Sequence, residues 1–84
     1  MDDVSSTTVI CDLVIEDYID ECIEQSIING YTSANIDIDN YIAYSKYRDI
    51  KQSTINNIVQ YFTDEYRDEG YDTFPYEGSL TISW

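Results

Sequence analysis

Residues 53–84, STINNIVQYFTDEYRDEG followed by YDTFPYEGSLTISW, decide the fold. In the first part Ile55, Ile58, Val59, Phe62 and Tyr66 recur at intervals of three and four, which places them on one face of an α-helix. Ser53 offers a side-chain cap at the start, and Gly70 a stop at the end, because glycine accepts the left-handed conformation that closes a helix. Beyond Gly70 the period shortens to that of a strand: Leu80, Ile82 and Trp84 alternate with Thr81 and Ser83, after the turn chemistry of Pro75-Tyr76-Glu77-Gly78. The segment predicts a helix running into a β-hairpin whose last residue, Trp84, belongs to the core.

Upstream, Cys11, Val14, Ile15, Tyr18, Ile19, Cys22, Ile23, Ser26 and Ile27 follow the same helical rule, so residues 9 to 29 read as one long helix stopped by Asn29-Gly30. Ala34, Ile36 and Ile38 then alternate with Ser33, Asn35 and Asp37 as a short half-buried strand. Residues 40 to 52 fit either a helical turn or two after Asp39 as cap, or an irregular connection. The simplest arrangement that buries these faces is an α+β fold in which two amphipathic helices pack on one face of a small, mainly antiparallel three-stranded sheet. Residues 1–8 read as a short N-terminal tail and 9–84 as a single acidic domain, because 84 residues cannot support two cores.

Composition narrows the function. Apolar residues make up 43%, with thirteen Ile, nine Tyr, two Phe and one Trp, too many for a disordered acidic tail. The N-terminus is acidic where a secretory signal would be basic, and no apolar run approaches the ~18 residues of a membrane span, so a cytoplasmic protein without membrane contact is expected. Cys11 and Cys22 lie eleven residues apart, about 16 Å along one helix and beyond the ~7 Å limit for bridged Cα atoms. They read as small buried hydrophobes.

Catalytic chemistry finds no foothold. Histidine is missing, and with it the usual base, proton shuttle and metal ligand. Two distant thiols do not make a zinc site. Asp37-Ile38-Asp39-Asn40 begins like a calcium loop, but Tyr41 takes the next ligand position and the loop glycine is missing. The same Asp-x-Asp could hold a metal in a sugar transferase, for which so short a chain has no room. No catalytic residue, metal site or cofactor is expected, and four bases cannot form the electrostatic footprint for direct nucleic-acid binding.

Charge is the strongest signal. Seventeen acids oppose four bases, all four between Lys46 and Arg67, for a net charge of −13. On the first predicted helix Asp12, Glu16, Asp20 and Glu24 form one i, i+4 row, with Asp17 and Glu21 beside it: six carboxylates in about 18 Å, or one per ~3 Å, close to the ~3.4 Å phosphate spacing of a single DNA strand. Each like-charge pair costs a helix roughly 0.2–0.5 kcal/mol. A second cluster, Asp64, Glu65, Asp68, Glu69 and Asp72, sits at a helix C-terminus, where the macrodipole disfavours anions by a few tenths to ~1 kcal/mol each. Neither placement serves local structure. Selection for partner binding and a generically acidic, solubilising surface both account for them. Of the tyrosines, Tyr18, Tyr61 and Tyr66 are expected in the core, while Tyr31, Tyr41, Tyr44, Tyr47, Tyr71 and Tyr76 fall in or near connections, where such rings often anchor interfaces.

A helix running into Glu69-Gly70-Tyr71, a variable turn, and Leu80-Thr81-Ile82-Ser83-Trp84 resembles small tailed-bacteriophage proteins that close in a helix-hairpin unit. The resemblance covers residues 53–84 and carries no functional residue. It implies a phage or mobile-element accessory protein, a class rich in inhibitors of host enzymes and in minor virion parts. Two functions are therefore expected: a nucleic-acid mimic whose eleven acids occupy a basic host nuclease, restriction, CRISPR or repair protein, or an assembly module that docks through its sheet edge and Trp84, including as a homodimer. A regulator binding another basic host factor shares the electrostatics of the first.

Overall fold

The computed structural model describes residues 5–84, folded as α1 (Ser6–Asp12), α2 (Ile15–Ile28), β1 (Ser33–Ile36), α3 (Ile38–Ala43), α4 (Gln52–Asp68), β2 (Asp72–Tyr76) and β3 (Ser79–Ser83). The strands form one antiparallel sheet in the order β1-β3-β2. Ala34 and Ile36 of β1, Leu80 and Ile82 of β3, and Thr73 of β2 point to the face that the helices cover. The α+β arrangement expected from the periodicities is the one observed.

Two helices end in the same way. The amide of Tyr31 donates to the Ser26 carbonyl at 2.8 Å and that of Gly30 to Ile27 at 3.0 Å; the amide of Tyr71 donates to Tyr66 and that of Gly70 to Arg67, each at 3.1 Å. Both are Schellman closures, which need a left-handed residue at the glycine, and Gly30 and Gly70 have φ of 83° and 103°. They stop α2 and α4 at the positions their glycines predict.

The first helix departs from expectation. It is broken at Leu13-Val14, where Val14 adopts φ 44° and ψ 52°, a region that β-branched residues rarely enter. What holds the break is tertiary: the Tyr41 hydroxyl donates to the Leu13 carbonyl, and Lys46 and the Tyr47 hydroxyl meet Asp12. Both helices keep an inward face, Val9 on α1 and Ile15, Ile19 and Ile23 on α2. Cys11 and Val14 are exposed, so Cys11 is not the buried hydrophobe its spacing implied. α1 starts at Ser6, capped by the Ser5 hydroxyl, which accepts from the Thr8 amide; residues 1–4 of the expected tail lie outside the described residues.

Smaller corrections follow from tertiary contacts. The strand ends at Ile36, and Ile38 is the first residue of α3, capped by Asp37 accepting from the Asn40 amide, not by Asp39. The Asp39 amide instead donates to the Gly78 carbonyl at 2.7 Å, tying α3 to the hairpin turn. α4 begins two residues early, with Lys51 as N-cap and Ser53 inside it. Pro75 and Tyr76 belong to β2, leaving Glu77-Gly78 as the turn. Trp84 is 41% exposed and Tyr61 47%, so neither is a core residue, whereas Tyr66 is buried and Tyr18 half-buried.

Candidate functional site: an acidic surface shared by two helices

All eleven acids singled out from the sequence are exposed: Asp12 on α1; Glu16, Asp17, Asp20, Glu21 and Glu24 on α2; Asp64, Glu65 and Asp68 on α4; Glu69 as its C-cap; and Asp72 opening β2. The break at Val14 takes Asp12 out of the straight row. The remaining five carboxylates of α2 occupy about 12 Å of helix and about 140° of its circumference, opposite the buried Ile15, Ile19 and Ile23.

Tyrosines join the two clusters. The Tyr66 hydroxyl, on a side chain that α4 buries against the core, donates to Asp20 Oδ1 of α2 at 2.5 Å. Burial, and then this bond, hold the phenol well above its ordinary titration range, with Glu16 and Glu69 adding their negative charge. Tyr61, one turn earlier, has its phenol raised first by the charge of Glu65 and, more weakly, by Glu16. Tyr61 and Tyr66 are thus the side chains that acids of both helices reach, Glu16 and Asp20 from α2 and Glu65 and Glu69 from the end of α4. An open depression of about 340 Å³ lined by Tyr61, Asp64, Glu65 and Asp68 marks the α4 side.

Asp12 has a structural role. Its Oδ2 accepts from the Lys46 ammonium at 2.8 Å and from the Tyr47 hydroxyl at 2.6 Å, and the Lys46 and then the Tyr47 contact lower its carboxyl from the ordinary value. The adjacent Leu13 carbonyl accepts from the Tyr41 hydroxyl at 2.9 Å. These three side chains hold the bend between α1 and α2. Arg67, inside the second cluster, points its guanidinium to the Thr73 carbonyl at 2.8 Å.

The sequence placed the acids but missed their tyrosine partners. Tyr47 and Tyr66 reach across 35 and 46 residues of chain, a separation that leaves no local signal. Among the described residues no group of three or more acidic or thiol ligands is placed to hold a metal, and no helix is long and apolar enough to cross a membrane. No protein-family model matches the chain, and no curated protein or solved structure is significantly similar to it.

Proposed function

We propose that the protein is a non-enzymatic nucleic-acid mimic, a phage or mobile-element accessory that binds a basic DNA- or RNA-handling protein in the host cytoplasm and blocks its nucleic-acid site. The observation that carries this reading is that four acids distant in sequence, Glu16 and Asp20 of α2 and Glu65 and Glu69 of α4, meet around Tyr61 and Tyr66. Carboxylates on packed helices are oriented before binding, and opposite charge on the partner accelerates encounter by orders of magnitude at low salt. Tyr61, exposed among these acids, supplies a flat apolar contact of the kind that adds selectivity.

The test is capture of partners from host lysate on the tagged protein at ~50 mM salt, with duplex DNA as competitor. Retained nucleic-acid-binding proteins are expected to be displaced by DNA and to bind about tenfold more weakly at ~200 mM salt. The triple variant Glu65→Lys, Asp68→Lys and Glu69→Lys should lose binding without losing stability, because all three lie at the α4 C-terminus, where cations favour the helix dipole. Binding that is insensitive to salt, to DNA and to this charge reversal refutes the mimic.

A second reading, a minor virion or assembly module, is favoured by the exposed aromatic side chains of Phe74, Tyr76 and Trp84 on and beside the sheet. It predicts recovery of the protein in purified particles and self-association that survives high salt.

A further inference from the structure

The two outer strands of the sheet are finished differently. Trp84 donates its amide to the Thr32 carbonyl at 3.0 Å, and Ser33, Ala34, Asn35 and Ile36 pair with Ser83, Ile82, Thr81 and Leu80. In an antiparallel ladder the backbone groups alternate in direction, so Ala34 and Ile36 bond β3 while the N–H and C=O of Ser33 and Asn35 point to the open side. On β2 the same alternation sends Thr73 and Pro75 outward. There the Thr73 carbonyl accepts from Arg67 and Pro75 has no N–H, two of the devices by which proteins blunt a sheet edge. β1, Ser-Ala-Asn-Ile, contains neither proline nor charge.

Beside that edge lies a groove of about 440 Å³ between α2 and β1, lined by Tyr18, Glu21, Cys22, Gln25 and Ala34 among others. Its floor is apolar: Tyr18 stacks on Tyr41 with ring centroids 4.0 Å apart, and burial raises the half-buried Cys22 thiol. Its rim is acidic, with Glu21 in the lining and Asp37 close enough for its charge to act on the Tyr18 phenol.

We propose that the open edge of β1 is a strand-addition site, which takes an extended lysine- or arginine-bearing segment of a protein partner as a fourth strand of the sheet. Ser33 and Asn35 supply the main-chain hydrogen bonds, one apolar side chain of the segment enters the groove, and its cations meet Glu21 and Asp37. A second copy of this chain is the wrong occupant, because pairing β1 with itself would bring Glu21 and Asp37 of two molecules, each of charge −13, against one another. The site is separate from the α2–α4 surface, since Glu16 and Asp20 face α4 while Tyr18 and Cys22 face β1.

The probe is a capped six-residue peptide of alternating lysine and valine, added to the full chain at low salt, with amide hydrogen exchange read residue by residue. Exchange at Ser33 and Asn35 is expected to slow at least about tenfold. The glutamate-valine peptide, and the lysine-valine peptide methylated on alternate amides, should leave it unchanged. Asn35→Pro should abolish the protection while exchange at Ala34 and Ile36, bonded to β3, reports an intact sheet. Glu65→Lys with Asp68→Lys should not affect it, which separates this site from the mimic surface. Unchanged exchange at Ser33 and Asn35 with peptide bound elsewhere overturns the proposal; so does equal protection by the methylated peptide. Protection that rises with protein concentration in the absence of peptide also overturns it, in favour of a second copy.

Discussion

Val14 carries the most strained backbone among the described residues that are not glycine, and its side chain is 55% exposed, so little packing compensates for it. A left-handed L-residue costs about 1–2 kcal/mol. Asparagine tolerates that conformation better, and Val14→Asn is expected to stabilise the protein by about 0.5–1 kcal/mol in urea unfolding. Gly78 illustrates the opposite case. At φ 69° an added Cβ would stand 2.6 Å from Asp39 Cβ, so Gly78→Ala should destabilise by about 2 kcal/mol and loosen α3 from the turn. Asp12 sets a pH dependence. Its carboxyl titrates lower when folded, so its contribution is present above the ordinary value of 3.8 and is lost as pH falls through the folded one. The stability difference between the native chain and Asp12→Asn should accordingly be seen near neutral pH and shrink as pH is taken below 3.8.

At the scale of elements, α4 organises the molecule. Its buried face of Ile55, Ile58, Val59, Phe62 and Tyr66 meets α1, α3, β2 and β3, and a buried polar link completes the seam: Thr73 Oγ1 donates to the Thr63 carbonyl at 3.0 Å, while Thr63 Oγ1 donates to Val59. The bond from Tyr66 to Asp20 ties α4 to α2. Tyr66→Phe keeps the ring and removes the bond, with an expected loss of about 1 kcal/mol in chemical denaturation. The apolar face of α4 was readable in its 3.6-residue period and its end in Gly70, because an amphipathic stripe and a left-handed stop are local properties; the bonds to Thr73 and Asp20 were not. The bend at Val14 was not readable from the stripe alone. Cys11 and Val14 fit the helical period, and the contacts that accompany the break, Tyr41, Lys46 and Tyr47 against Leu13 and Asp12, come from distant chain.

For the molecule as a whole, a net charge of −13 on 84 residues means that folding concentrates like charge. Screening should therefore stabilise it: raising sodium chloride from ~20 to ~500 mM is expected to lift the melting temperature by about 5 °C, the shift that roughly 1 kcal/mol produces in a domain of this size. The same salt should weaken any partner held by the α2–α4 acids, so stability and binding move in opposite directions. The eleven candidate acids, their exposure, the α+β class and the two glycine stops were fixed by the chain alone, since charge, hydrophobic period and glycine's steric freedom are written residue by residue. Tertiary structure decided which acids become neighbours, which strand edge stays open, and where the first helix bends. Those depend on contacts between segments 28 or more residues apart, and a packed core chooses among such contacts only once every buried face competes for the same space.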